Sequence, residues 1–464
     1  MSKVGFRDRA SAAIKSKEAL ATAAGAKRFT ERRIQAAESF PAMEAARDEA
    51  QRIRLHTLAN LDRYLEQFAQ SATNAGNFVH WATDGEEANK IVLRIAEESE
   101  SRLVVKSKSM VTEEIELNHT LEEAGIEVVE TDLGEFIIQL AGETPSHIIA
   151  PVVHKTRKQI GELFAEKIGV DLTEDPEELN AAARFYLRTK FLEADLGISG
   201  VNFGVADTGS ISLVTNEGNG RLTTTAPRVH IAVMGMERLV PTIRDLGVML
   251  EVLARSATGQ ALTSYSTVIT GPRQPDDADG PDELHIIIVD NGRSNVLGQS
   301  TAEILGCIRC GACLNVCPVY RESGGHAYGT TYSGPVGAVL VPSLLGLQDW
   351  GDLAQASSLC GACLEACPVR IDLPRMLIEL RQRRVAQRLA TPGLRRAIKT
   401  YAAAATRPTA FRVMMRAGGL AARFRPTTSG WMTSLPAMGK KWTSTRDFPS
   451  PETRTFHQRW KKSR

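Results

Sequence analysis

Seven cysteines are the residues of this sequence most clearly suited to chemistry, and all of them lie in one short window. They are Cys307, Cys310, Cys313, Cys317, Cys360, Cys363 and Cys367. A secreted disulfide scaffold is normally a short chain with an even number of cysteines, whereas this chain has 464 residues and an odd number of them. The clustered cysteines therefore indicate metal chemistry in a reducing compartment.

The first motif runs from Cys307 to Pro318 with the spacing C-x2-C-x2-C-x3-C-P, which is typical of bacterial ferredoxins. Three closely spaced thiolates can surround one face of a cubane cluster, and the fourth points away toward a second cluster. Gly311 lets the backbone approach the sulfides without a side-chain clash. The pattern disfavours two alternatives, buried structural thiols and a zinc site, which would use isolated pairs with longer gaps.

The second motif, from Ser357 to Pro368, repeats the first almost residue for residue but has serine at its first position. The crossover of the fourth ligand predicts one [4Fe–4S] cluster bound by Cys307, Cys310, Cys313 and Cys367, and a second cluster bound by Cys317, Cys360 and Cys363. A serine alkoxide is a poor ligand at neutral pH, so the second cluster has one open coordination position. It is a [3Fe–4S] cluster, a [4Fe–4S] cluster with a water or serine ligand, or a cluster with a labile iron. We favour a [4Fe–4S] cluster that degrades to [3Fe–4S] in air.

The elements that must position these motifs divide into four segments. Residues 1–75 are predicted to be helical, since apolar residues recur at helical spacing between Leu55 and Phe68. Residues 76–295 alternate between strand and helix patterns, which predicts an α/β domain around a mostly parallel sheet. Residues 296–390 form the cysteine region, helical between its motifs. Residues 391–464 begin as helix and become irregular around Pro426, Pro436, Pro449 and Pro451.

Within the α/β segment the patterns predict ten strands and four longer helices. The predicted strands are 78–82, 103–106, 127–131, 136–140, 147–151, 201–206, 210–215, 229–234, 264–269 and 284–289. The predicted helices are 86–98, 112–123, 155–168 and 177–193.

Loops at the carboxyl ends of parallel strands usually carry ligand sites. Glu217 and Arg221 follow one predicted strand and could form a pocket for a small carboxylate or phosphate, with Arg221 as anion clamp and Glu217 as base or nucleophile. The turn-forming sequences at 207–210 and 217–221 instead favour a tight hairpin. The sequence has no glycine motif for a nucleotide.

Five other polar residues each allow two interpretations. Lys106 and Lys108, which follow Val104 and Val105, are interpreted as a solvated strand end rather than an anion site. His147 and His154 are interpreted as structural histidines. His326, in a glycine-rich turn beside the cysteines, either tunes the potential of a cluster by hydrogen bonding to sulfur or orders the turn.

Charge is unevenly distributed, although the net charge is only +2. Residues 381–464 hold 20 Lys and Arg residues against two acids, which leaves 36 basic and 52 acidic residues in positions 1–380. We expect the basic tail to dock on an acidic surface of this chain or of a partner. Contact with a membrane surface rich in anionic lipid is an alternative, as is a basic segment without a dedicated partner. No nucleic-acid partner is expected, because the tail has few aromatic residues and no nucleic-acid module.

Composition and hydropathy exclude several protein classes. Apolar residues make up 43% of the chain and charged residues 24%, which is ordinary for a globular protein and excludes wholesale disorder. The longest apolar stretch, 336–347, contains Pro342, and a membrane-spanning helix needs about 20 residues. The first residues lack the apolar core of a secretory signal. We therefore expect a cytoplasmic protein.

Several short segments resemble one family. The segments 317–321 (CPVYR), 324–329 (GGHAYG) and 332–339 (YSGPVGAV) resemble the iron–sulfur proteins of the lactate utilization protein B family. The stretch 200–219 resembles the LUD domain, whose fold is similar to the NagB/RpiA/CoA-transferase α/β group. The long helical segment between the motifs resembles the α-helical ferredoxin modules of succinate dehydrogenase and heterodisulfide reductase. Trp431 and residues 446–460 resemble the family's C-terminal segment.

This resemblance implies a role in the oxidation of L-lactate to pyruvate within a three-protein cytoplasmic system. The chain would be the electron carrier, with A-type and C-type lactate utilization proteins as partners and all seven cysteines as cluster ligands. Ser357 fits the family pattern. One alternative is a self-contained LUD-domain enzyme that acts on a small organic acid and uses the clusters as its electron outlet. Another is a scaffold whose clusters are structural.

Overall fold

The structure, a computed structural model, describes residues 4–14, 16–389, 392–422, 430–435, 439–440, 442–444, 446–452 and 454–463. The chain divides into two compact units, Met1–Arg384 and Val385–Arg464. The first unit includes the N-terminal helices, the α/β region and the cysteine region together. The cysteine motifs therefore share one folded body with the parallel sheet.

The N-terminal segment is helical, as predicted. Its helices are α1 (Phe6–Ala13), α2 (Lys17–Glu38), α3 (Met43–Ala59) and α4 (Leu61–Asn74). The apolar stripe of α4 is buried, with Phe68 fully inaccessible. Helix α2 packs against two short helices, Ala312–Val316 within the first cysteine motif and Pro318–Ser323 at its end, and α3 packs near the start of that motif. These helices therefore connect the α/β region to the cysteine region.

The main sheet has six parallel strands in the order β1-β10-β7-β4-β2-β3. The strands of the α/β region are β1 (Phe78–Ala82), β2 (Leu103–Lys106), β3 (Glu127–Glu130), β4 (Leu196–Gly200), β5 (Phe203–Val205), β6 (Ser210–Thr215), β7 (Val229–Gly235), β8 (Leu239–Val240), β9 (Tyr265–Ile269) and β10 (Glu283–Val289). Along β7, Ile231 and Val233 belong to one core cluster, and Ala232 and Met234 to another. Burial on both faces explains why these strands are continuously apolar in sequence.

A second sheet has the order β8-β5-β6-β9, with β6 antiparallel to β5 and β9.

The helices of the α/β region are α5 (Gly85–Glu98), α6 (Met110–Glu114), α7 (Leu117–Glu123), α8 (Leu133–Ala141), α9 (Arg157–Ile168), α10 (Pro176–Glu193), α11 (Asn219–Thr225), α12 (Ile243–Ala257) and α13 (Arg293–Leu297). The mixed α/β fold with a parallel sheet is confirmed.

Several predicted elements are wrong. Residues 136–140, predicted as a strand, lie in α8, because Asp132 accepts hydrogen bonds from the first backbone N–H groups of a helix and Gly142 ends it in the left-handed conformation. Residues 147–151, also predicted as a strand, form a bend that leads into a turn at Pro151. The helix predicted at 112–123 is divided at Glu116, whose φ of 55° interrupts it. The strand predicted at 201–206 is shorter and is preceded by β4, which the sequence did not suggest.

The cysteine region is helical, as predicted. It contains α14 (Ala312–Val316), α15 (Pro318–Ser323), α16 (Gly334–Leu345), α17 (Leu347–Trp350), α18 (Ala362–Ala366) and α19 (Leu373–Ala386). Among the described residues, no helix is long and apolar enough to cross a membrane.

The tail begins with α20 (Pro392–Ala405) and α21 (Pro408–Ala422). A short antiparallel pair follows, β11 (Trp431–Met432) with β12 (Phe448–Pro449), and then α22 (Phe456–Lys462). The helical start is confirmed, whereas Pro426 and Pro436 lie outside the described residues.

Candidate cluster-binding site

The two cysteine motifs fold into nearly the same backbone. Gly311 and Gly361 both adopt positive φ, 74° and 87°, and each precedes a short helix. The cysteines that end these helices also match, with φ/ψ of −77°/119° at Cys317 and −71°/118° at Cys367. The repeat seen in the sequence is therefore also a structural repeat.

The first set of predicted ligands surrounds one small cavity. Cys307, Cys310, Cys313 and Cys367 all line it, and its other walls are largely aliphatic. We call it the four-cysteine cavity. Backbone N–H groups point at two of its sulfurs: Arg309 N lies 3.4 Å from Cys307 Sγ, and Ile371 N lies 3.3 Å from Cys367 Sγ. Such bonds stabilise negative charge on sulfur, and in iron–sulfur sites they set the reduction potential.

Burial favours the neutral form of three of these thiols unless a cation accompanies them. It raises the pKa of Cys310 and Cys313, and it raises the pKa of Cys367 to about 11. A metal cation overcomes this cost, because a coordinating thiol is deprotonated by the charge of the ion. Four sulfurs around a small, mostly aliphatic cavity with N–H donors therefore fit an iron–sulfur cluster.

The remaining three cysteines differ in their exposure to solvent. Cys317 and Cys363 are buried, but Cys360 is exposed. Burial raises the pKa of Cys363 to about 12, whereas a hydrogen bond from the Ala362 backbone lowers the pKa of Cys360. The second set of predicted ligands thus has one solvent-facing member.

Ser357 occupies the structural position of the missing cysteine. The backbone N–H of Leu359 donates to Ser357 Oγ at 3.1 Å, as Arg309 N–H donates to Cys307 Sγ. Leu359 and Arg309 also share a left-handed backbone, with φ of 57° and 60°. The serine therefore replaces the sulfur ligand with no change in the path of the chain.

Within the described residues, no three His, Cys, Asp or Glu side chains converge as closely as a single metal ion requires. The fit to an iron–sulfur cluster rests instead on the four-cysteine cavity and on the motif spacing.

His147 contributes to this site in a way that the sequence did not indicate. It is buried, and burial lowers its pKa to about 4. The backbone N–H groups of Ile149 and Ala150 donate to its Nδ1, so its Nε2 carries the proton and donates to Asn315 Oδ1 at 3.0 Å. A Cβ on Gly311 would lie only 3.2 Å from the His147 ring. His147 is structural, as interpreted, but it also supports the first cysteine loop.

The other two histidines are hydrogen-bonded away from sulfur. His154 contacts Ser146 Oγ and Glu143 Oε2 at 2.9 and 2.8 Å. His326 donates to the carbonyl oxygen of Thr144 at 2.7 Å. Of its two interpretations, the geometry supports ordering of the turn.

A second, polar cavity of about 310 Å³ lies at the carboxyl ends of the parallel strands. We call it the sheet-edge pocket. Most of its charged lining residues follow different strands, and Arg309 lies within the first cysteine motif. The charged residues are Lys108, Asp132, Glu217, Glu237, Arg238, Arg293 and Arg309. Ligand sites in α/β folds are found at this edge.

The residues predicted around this edge are only partly brought together. Glu217 lines the sheet-edge pocket, and burial together with the charge of Asp132 raises its pKa. Arg221 does not line it, and its guanidinium lies over the ring of Tyr265 at 5.7 Å. Residues 207–210 form the predicted hairpin between β5 and β6, whereas Asn219–Thr225 is helical.

The interpretation of a solvated strand end is wrong for Lys106. This lysine is buried and pairs with Glu130 at 2.6 Å. Lys108 pairs with Glu135 beside the sheet-edge pocket.

A buried ion network closes the side of the pocket nearest the cysteines. Glu237 lies 2.7 Å from Arg293 Nε and 3.4 Å from Arg309 Nη2. Burial alone would raise the pKa of Glu237, but the guanidiniums of Arg293 and Arg309 outweigh it and hold the pKa at about 2. Sequence reasoning missed this network, because its members come from distant segments without a local motif.

Comparisons with known proteins agree with this architecture. Residues 65–289 match the LUD domain, residues 303–371 match the 4Fe-4S dicluster domain, and residues 390–464 match the C-terminal domain of lactate utilisation protein B. The dicluster match contains all seven cysteines.

Curated relatives cover nearly the whole chain. Lactate utilization protein B of Bacillus licheniformis is 48% identical over 94% of this chain and 92% of its own length. The Bacillus subtilis protein of the same name is 48% identical over 97% of this chain and 95% of its own. An uncharacterized electron transport protein of Escherichia coli, YkgF, is 46% identical over 90% of this chain and 88% of its own. The chain therefore belongs to the lactate utilization protein B family, with a LUD domain followed by an iron–sulfur dicluster domain.

Proposed function

We propose that this chain relays electrons from the oxidation of L-lactate to pyruvate through two iron–sulfur clusters. The observation that carries the proposal is the four-cysteine cavity, whose sulfurs come from both motifs as the crossover of the fourth ligand requires. Family membership supports the role in lactate utilization.

We assign the first cluster to Cys307, Cys310, Cys313 and Cys367, and the second to Cys317, Cys360 and Cys363. Clusters bound there would supply one-electron transfer. The chain buries three of the four cysteines in the first set and directs the N–H groups of Arg309 and Ile371 at two of its sulfurs. It presents the second set beside the solvent at Cys360. This order suits an inner cluster that receives electrons and an outer one that passes them to a partner.

Paired cysteine variants test the ligand assignment. In anaerobically prepared protein, Cys367→Ser is expected to remove the spectroscopic signal of the cluster assigned to the first motif, although Cys367 belongs to the second. Cys317→Ser, in the first motif, is expected to remove the other signal. EPR and Mössbauer spectra, with iron and sulfide analysis, provide the readout. Loss of the same cluster in both variants contradicts the crossed assignment, and iron near four per chain in the wild type contradicts two clusters.

The basic tail is proposed to hold the chain in a complex with the A-type and C-type lactate utilization proteins. The charge of residues 381–464 suits an acidic partner surface. Deletion of residues 391–464 is expected to abolish co-purification of those proteins without loss of the clusters. Co-purification that survives the deletion contradicts the docking role, and selective loss of binding to anionic vesicles assigns the tail to a membrane surface.

A self-contained enzyme is a second candidate, and the sheet-edge pocket favours it because it lies against the first cysteine motif. Lactate-dependent dye reduction by the purified protein alone would support this candidate. Reduction of the clusters by lactate only when the partners are present would support the relay.

A further inference from the structure

The sheet-edge pocket and the four-cysteine cavity share a wall at Arg309, which lines both. Its backbone N–H donates to Cys307 Sγ. Its guanidinium lies over the ring of Tyr332 at 4.7 Å and 3.4 Å from Glu237 Oε1. One residue therefore contacts an assigned cluster ligand through its main chain and forms the pocket wall with its side chain.

The guanidinium of Arg309 is held in place but is incompletely hydrogen-bonded. Its side chain is only 8% exposed. Tyr332, on which it lies, is fixed by a hydrogen bond from its hydroxyl to Glu114 Oε2 at 2.5 Å. Arg309 Nη1 is buried and has no acceptor among the described residues. Buried donors nearly always have a partner, so this group suits an acceptor that the chain itself does not provide.

In the described part of the chain, the ion pairs around the pocket leave an unneutralised guanidinium group near Arg309. Lys108 is paired with Glu135, Arg293 is paired with Glu114, and Glu237 lies between Arg293 and Arg309. Arg238 also lines the pocket, together with Asp132 and Glu217. Burial raises the pKa of Asp132, and burial together with the Asp132 charge raises the pKa of Glu217. These two carboxyl groups therefore oppose a bound anion less than ordinary carboxylates would, and they can hydrogen-bond a neighbouring hydroxyl or carbonyl group.

We propose that the sheet-edge pocket binds a small organic carboxylate through Arg309, and that its occupancy lowers the reduction potential of the neighbouring cluster. A bound anion disfavours the arrival of an electron nearby. By linkage, the oxidised protein must bind the carboxylate more tightly than the reduced protein, by the same factor. The coupling rests on the proposed function because it needs the cluster, whereas carboxylate binding does not.

Calorimetric titration of the full-length protein, loaded with iron and sulfide under anaerobic conditions, tests the binding. The probes are L-lactate, pyruvate and inorganic phosphate. At least one of the two carboxylates is expected to bind, and Arg309→Gln is expected to weaken that binding about ten-fold or more, through loss of a charge-assisted hydrogen bond. Arg221→Gln is the matched control, since it makes the same change outside the pocket, and it is expected to bind like the wild type.

A second variant tests carboxylate binding if the Arg309→Gln protein fails to load iron. Glu217 lines the pocket but not the four-cysteine cavity, and Glu217→Gln is expected to tighten carboxylate binding modestly, because it removes the negative charge that this carboxyl group still carries when ionised. Carboxylate binding that is absent, or unchanged in both pocket variants, overturns the site. Tighter binding of phosphate with the same dependence on Arg309 overturns the carboxylate assignment.

Redox titration followed by EPR tests the coupling. The midpoint potential of the cluster is expected to become more negative when the carboxylate saturates the wild type, with no such shift in Arg309→Gln. Equal affinity in the oxidised and reduced protein overturns the coupling. Wild-type protein without cluster signals would instead contradict the proposed function, while the calorimetric arms would still decide whether the pocket binds a carboxylate.

Discussion

At the scale of single residues, Ser357 shows how small the difference between the two motifs is. The same backbone N–H that donates to sulfur in the first motif donates to oxygen in the second. The sequence identified this serine as a missing ligand, because the rest of the motif is intact. It could not show that the hydroxyl lies in the place of the sulfur, which depends on the folded turn.

Ser357→Cys is therefore expected to complete the second site with little change in the fold. A fourth thiolate would make the outer cluster a fully sulfur-ligated [4Fe–4S] cluster that resists conversion to [3Fe–4S]. The measurement is the rate at which the [3Fe–4S] EPR signal grows in air. Ser358→Cys is the control, one residue away from the ligand position. Equal rates in Ser357→Cys and the wild type would falsify the equivalence of Ser357 and Cys307.

His230 carries a second prediction at this scale. It lies fully buried in β7, with Nε2 2.7 Å from Ser199 Oγ, and burial lowers its pKa from 6.5 to about 3. The imidazole of His230 therefore stays neutral in the folded protein, whereas in the unfolded chain it takes up a proton below pH 6.5. Its contribution to the free energy of unfolding is fully present above pH 6.5 and decreases as the pH falls toward 3. At pH 5 the decrease is about 2 kcal/mol.

His230→Gln is expected to lose about 2 kcal/mol less stability than the wild type between pH 7 and pH 5. Denaturant unfolding at the two pH values measures the difference. His119, whose side chain is 68% exposed, provides the surface control, and the slope of His230→Gln is compared with that of His119→Gln. An unchanged slope in His230→Gln means that this buried histidine does not control the acid sensitivity.

At the scale of elements, most strands and helices could be predicted from the sequence, but the predictions failed where packing decides between helix and strand. The apolar run 136–140 has no period that separates a strand from a buried helix, and the cap at Asp132 decides for the helix. Strand β4 was not predicted because two of its five residues are glycines, which are uncommon in strands. Glycine is required there by close packing against other parts of the fold. A Cβ on Gly197 would lie 1.9 Å from the carbonyl oxygen of Thr223.

The two cysteine loops offer a matched test of how elements support the clusters. Gly311→Ala and Gly361→Ala both place a side chain in the left-handed region, which costs about 1–2 kcal/mol. Only Gly311→Ala also crowds a neighbour, His147, whereas nothing lies within 4 Å of a Cβ at Gly361. We expect a lower thermal midpoint and a lower iron content for Gly311→Ala than for Gly361→Ala. Equal losses would show that His147 does not support the first loop.

At the scale of the whole molecule, Arg54 on α3 ties the N-terminal helices to both other regions of the first unit. Its Nη1 and Nη2 donate to the carbonyl oxygens of Leu239 and Glu237 at 2.5 Å each. Nη2 and Nε also donate to Leu305 and Gly306, just before the first cysteine, at 3.1 and 3.2 Å. No local pattern predicts such a residue, because a lone arginine in an amphipathic helix resembles any solvated one.

Arg54→Met is expected to destabilise the first unit by about 3–5 kcal/mol, since it leaves buried carbonyl oxygens without donors. Arg52→Met is the control, because Arg52 is exposed and pairs with Glu49 on its own helix. Urea unfolding, read by far-UV circular dichroism, measures both. Similar midpoints for the two variants would show that Arg54 adds no more than a surface arginine.

The contacts of Arg54 also impose an order on the maturation of the protein. The ribosome releases α3 long before Leu305 and Gly306, so the guanidinium lacks two of its acceptors until the cysteine region has emerged. The contacts around Arg54 can therefore be completed only after Gly306, the residue just before the first cysteine, has emerged. The first proposed cluster also needs Cys367, so we expect iron and sulfide to be enclosed later still, once the second motif has been synthesised.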